Sequence, residues 1–118
     1  MSLFIHPRHE DTIIASMPCI SNDHNGHHHL VVPLDCTDEL IGLGIPYFLT
    51  DTLKSYYQYS KAYKTIQEIE GDTSPTPGIR DILVFWRDVA EDQGDREDEI
   101  YYINWLLRSG NNVNKPIK

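Results

Sequence analysis

The sequence predicts an α+β fold, with a small N-terminal antiparallel β-sheet or hairpin packed against three to four α-helices. Three observations carry that reading. β-forming residues dominate the first third of the chain. An Asn25-Gly26 pair lies between two such runs, and it is the preferred centre of a two-residue hairpin turn because both central residues need positive φ. From residue 37 the apolar spacing becomes helical, and strands followed by helices argue for α+β.

Leu3-Phe4-Ile5 is a short apolar run stopped by Pro7. Thr12 to Ile20 and Leu30 to Leu34 read as two further strands around the Asn25-Gly26 turn. That turn sets a register in which His24 faces His27, Asn22 faces His29, Cys19 faces Val32 and Met17 faces Leu34. One face of the ribbon then carries Ala15, Met17, Cys19, Leu30, Val32 and Leu34 as its core side. The other carries Asn22, His24, His27 and His29. Pro18 and Pro33 point to sheet edges.

Thr37 caps a short helix through Ile41, ended by Gly42 or Gly44. Pro46 opens a long helix, residues 46–70, closed by Gly71. Its apolar stripe is Leu49, Leu53, Tyr56, Ser60, Tyr63 and Ile66. Thr76 and Pro77 serve as N-cap and first residue of a third helix. That helix turns Ile79, Ile82, Leu83, Trp86 and Val89 inward and ends near Gly94. Asp95 caps a fourth, whose acidic first turn suits the helix dipole. Gly110 closes it, and residues 111–118 read as a flexible tail. The chain is thus one domain: a β-rich part (1–36), a helical part (37–110) and a tail.

With 118 residues the chain has room for one modest core. Eighteen Asp and Glu against ten Lys and Arg leave a formal net charge of −8. No apolar run approaches a membrane span of ~20 residues, and no secretory signal is visible. Two cysteines, Cys19 and Cys36, are few for a secreted domain of this size. The composition therefore reads as a cytoplasmic protein. Ile41-Gly42-Leu43-Gly44 lacks the strand–helix context of a phosphate loop, and no nucleophile motif is present. The expectation is a protein that is not an enzyme.

The charge is local. Asp88, Glu91, Asp92, Asp95, Glu97, Asp98 and Glu99 bracket the single Arg96. Holding like charges together costs stability, which asks for a basic partner, although the same acids also suit a solvated corner. The reading is a small acidic protein-binding accessory protein of inhibitor type, immunity-like or anti-defence-like, that engages a basic protein surface. Its expected binding residues are Asp88, Glu91, Asp92, Asp95, Asp98, Glu99, Tyr57, Tyr101 and Tyr102, with acids steering and aromatics anchoring. Tyr-rich spacing in the long helix also allows a homodimer. Direct nucleic-acid binding is disfavoured, because Lys54, Lys61 and Lys64 are a weak footprint on so acidic a chain.

The alternative is a metal-binding protein. His24, His27 and His29 share a ribbon face in the predicted register, and three imidazoles match the ligand chemistry of zinc or another divalent transition metal. No cofactor is expected otherwise. The same histidines could act as a pH-sensitive patch. A small-molecule pocket between sheet and helices is a third class, for which the sequence offers no ligand clue.

Overall fold

A computed structural model describes residues 2–24 and 27–108, the side chains of residues 22–24 and 27 excepted. The strands are β1 (Ser2–Ile5), β2 (Ile20–His24), β3 (His27–Pro33) and β4 (Phe48–Leu49). The α-helices are α1 (Glu10–Ser16), α2 (Thr37–Leu43), α3 (Thr52–Glu70), α4 (Ile79–Gln93) and α5 (Glu97–Arg108). The fold is α+β. The strands form one antiparallel sheet in the order β2-β3-β1-β4. No helix among the described residues is long and apolar enough to cross a membrane.

The sheet is covered on both faces, and β1 shows it most directly. Leu3, Phe4 and Ile5 are all buried, although successive strand side chains point to opposite faces. Leu3 and Ile5 join Leu30, Val32, Ile13, Met17, Leu40 and Ile45 in an apolar layer under α1 and α2. Phe4 joins Tyr56, Ile79, Leu83, Tyr102, Ile103, Trp105 and Leu106 in a second layer under α3, α4 and α5. A buried apolar side chain of this kind contributes roughly 1.5–3 kcal/mol, so this short strand is a main organiser of the fold.

The predicted register holds where β2 and β3 pair, with His24 opposite His27 and Asn22 opposite His29. It ends at Ile20 opposite Val31, so the pairs Cys19–Val32 and Met17–Leu34 do not form. The segment before Ile20 is helix α1, not strand. Ile13 is buried while Ile14 is 62% exposed, and Met17, whose extended backbone ends the helix, is buried with Ile13 in one apolar cluster. Glu10 and Asp11 in the first turn favour the helix dipole. Pro33 ends the central strand β3 rather than marking an edge. The Asn25-Gly26 turn lies outside the described residues, as do Gly110 and the tail.

The long helix starts at Thr52, six residues later than predicted. Asp51 caps it, its carboxylate accepting the Lys54 N–H at 3.1 Å. The residues before it form β4, paired through Leu3–Leu49 and Phe4–Phe48, which satisfies the backbone groups on the second edge of β1. Leu53 is 68% exposed, so the buried stripe of α3 runs instead through Ser55, Tyr56, Ser60 and Gln67.

Helix α4 begins after Gly78, two residues beyond the predicted Thr76–Pro77 start. Gly94 ends it with φ 81, a left-handed conformation that favours glycine. That turn reverses the chain into α5, which packs along α4 and is tied to it by Arg87 Nη1 donating to Asn104 Oδ1 at 3.0 Å.

Candidate functional site

The acids between residues 88 and 99 fall into two groups. Asp88, Glu91, Asp92 and Asp95 are exposed and have no ion pair or hydrogen-bonding side chain opposite them among the described residues. Asp88, Glu91 and Asp92 sit toward the C-terminus of α4, whose last turn carries no basic residue. The negative end of the helix dipole adds to their field. Glu97 is also exposed, with Arg8 Nη1 3.9 Å away.

Asp98 belongs to the interior, and Glu99 is half-buried. Asp98 is 2% exposed. Arg8 Nε donates to its Oδ1 at 2.9 Å, and Arg8 Nη2 contacts the same oxygen. His9 Nε2 lies 2.7 Å from Oδ2; a carboxylate held by Arg8 only accepts, so the imidazole donates. Asp98 therefore staples α5 to the turn between β1 and α1. Beside it, the His6 ring lies 4.3 Å from Tyr101, and its Nδ1 accepts the Arg8 N–H at 3.0 Å. Burial holds His6 below the ordinary imidazole value, against the opposing pull of Asp98.

Glu99 closes a second network. Arg96 Nε donates to Glu99 Oε1 at 2.8 Å, and Arg96 Nη1 donates to Gln93 Oε1 at 2.8 Å. The Tyr59 hydroxyl donates to Glu99 Oε2 at 3.2 Å, and burial beside that carboxylate pushes the Tyr59 phenol far up. The Tyr102 hydroxyl donates to the Leu49 carbonyl at 2.7 Å, so Ser55 Oγ must donate to Tyr102.

The three predicted tyrosine anchors separate accordingly. Tyr102 is 2% exposed and packed in the core. Tyr101 is half-buried, its hydroxyl donating to the His28 carbonyl at 2.5 Å. Tyr57 is 60% exposed on α3. As folded, Asp98 and Tyr102 are not available to a partner. A helical stripe through Asp98, Tyr102 and Leu106 would have signalled this, because these positions are four apart. Arg8 and His9 carried no such signal, since their partner lies some ninety positions along the chain.

The predicted histidine set does not stand on one open face. His29 is 1% exposed, its ring stacked on Phe4 at 4.7 Å and 5.1 Å from Trp105. The physical reason is the second helical layer, which covers the face that sequence alternation assigned to solvent. The side chains of His24 and His27 lie outside the described residues. Among the described residues no group of three His, Cys, Asp or Glu side chains could hold a metal ion. His28 is turned to other contacts, with Nε2 3.2 Å from Ser21 Oγ and 3.9 Å from Glu10 Oε2.

No known protein family, curated protein or solved structure matches this chain at a significant level.

Proposed function

We propose that this protein acts by binding a basic surface on a macromolecular partner, as an accessory protein of inhibitor type, and that it performs no catalysis. The observation that carries this is the group of exposed acids, Asp88, Glu91, Asp92 and Asp95, which lack a counter-charge among the described residues. Concentrated charge of one sign raises the encounter rate with the opposite sign by about 10 to 10³-fold at low salt. Asp98 and Glu99 are excluded from the docking face, because Arg8, His9, Arg96 and Tyr59 already hold them. Tyr57 is the exposed anchor among the predicted tyrosines.

The test begins with capture of the partner from the native host and its identification by mass spectrometry. Association is then followed by stopped flow across a salt series. The variant replaces Asp88, Glu91, Asp92 and Asp95 with Asn or Gln, which halves the formal net charge of −8. Its association rate at low salt should fall at least about tenfold, and its salt dependence should flatten. Its thermal midpoint should hold, because the four exposed side chains make no ion pair or side-chain hydrogen bond among the described residues. An unchanged rate and salt slope would overturn the proposal.

A further inference from the structure

A cleft of about 350 Å³ opens between β4, the first half of α3, the middle of α4 and the first half of α5. Aromatic rings dominate its walls: Phe48, Tyr59, Trp86 and Tyr102. Among the described residues its charged lining consists of Arg96 and Glu99. This volume falls within the range of small-molecule sites, as does an apolar wall with a few convergent polar groups. Protein interiors elsewhere close such spaces with side chains.

Charge selects the class of occupant. Arg96 and Glu99 neutralise one another across the Nε–Oε1 bond. An anion would have to approach Glu99 within a protein of net charge −8. A cation would meet a carboxylate already bound to Arg96 and Tyr59. An uncharged ring meets neither obstacle.

Hydrogen bonding narrows the class further. A guanidinium has five N–H donors. Those of Arg96 go to Glu99 through Nε and Nη2 and to Gln93 through Nη1. Each terminal nitrogen therefore keeps one N–H to offer. Glu99 Oε2 accepts from Tyr59 and has capacity for a second donor. The polar lining of the cleft thus keeps both donor and acceptor capacity, and the complement is a ligand that carries an acceptor and a donor. The aromatic walls supply faces for stacking.

We infer that this cleft binds an uncharged, flat heteroaromatic ligand whose edge carries a hydrogen-bond donor and an acceptor, as in a lactam. This site is separate from the acidic face of α4 and needs no partner protein, so its failure would leave the docking proposal standing. The full chain is titrated with 2-quinolone and followed by the Trp86 indole signal in two-dimensional NMR, assigned with Trp86→Phe. Quinoline tests the missing donor. Benzyltrimethylammonium and benzoate test cationic and anionic occupants. Saturable shifts with 2-quinolone are expected, with affinity at least about tenfold above the other three probes. Ala62→Phe, which adds a ring on the α3 wall, should abolish binding while the thermal midpoint holds. Gln58→Trp obstructs the same wall independently. Absence of saturation overturns the inference. So does equal or tighter binding of quinoline or a charged probe, or full binding by a folded obstructed variant.

Discussion

Replacing Asp98 with Ala separates an interior carboxylate from the exposed acids around it. Asp98 is 2% exposed and accepts from both Arg8 and His9. Hydrogen bonds to charged groups contribute roughly 1.5–3 kcal/mol each. The Arg8 side chain is 49% exposed, so water can take it back when the carboxylate is removed. The full penalty of an orphaned buried charge, about 3–5 kcal/mol, therefore does not apply. The His9 bond is more sheltered, with that side chain 19% exposed. Counting it nearly in full and the Arg8 bonds at a discount gives a loss of about 3 kcal/mol. For a chain of this size that lowers the midpoint by about 12 °C. Asp88→Ala is the control, because it removes the same charge from an exposed site and should change stability by less than about 0.5 kcal/mol. Both variants are measured by urea and thermal unfolding, together with an Arg8→Ala/Asp98→Ala double-mutant cycle. Losses for Asp98→Ala and Asp88→Ala that agree within 1 kcal/mol would refute the staple and return Asp98 to the solvated surface.

His6→Asn keeps an acceptor for the Arg8 N–H and removes the imidazole titration. Because burial lowers the folded value of His6 below its ordinary 6.5, the unfolded chain takes up the proton first. The stabilisation is complete above that value and is lost as pH falls. Wild type should therefore lose more stability than the variant between about pH 7.5 and 5, as followed by urea midpoints; a steeper loss in the variant would contradict the assignment. His29→Ala should cost roughly 3 kcal/mol, in the range for removing a buried ring, and leave zinc uptake in a competition titration unchanged. Uptake that falls while stability holds would restore the three-histidine site.

Sequence periodicity was informative where an element has one buried face. Helix α4 is such a case: Ile79, Ile82 and Leu83 are buried as their spacing predicts. The Gly71 and Gly94 stops were legible because left-handed geometry has few residue solutions. Periodicity misled where β-forming residues serve in a helix. Thr12, Ile13 and Ile14 favour strands locally, yet packing Ile13 and Met17 beneath the sheet makes α1. It also missed β4, which is too short to show alternation and exists because β1 has an edge to satisfy.

The candidate site divides in the same way. Local sequence determined that charge gathers between residues 88 and 99, that the chain reverses there, and that His24 pairs with His27 across the hairpin. These depend on neighbours in the chain and on turn chemistry. Only the tertiary structure decided which acids remain free. Arg8 and His9 reach Asp98 because β1 runs through the centre of the sheet and delivers the following turn to the start of α5. The same packing puts His29 in the core beside Phe4 and gathers Phe48, Tyr59, Trp86 and Tyr102 around one cleft from four separate elements. A charge pattern is written along the chain, but its neutralisation depends on partners brought together through space.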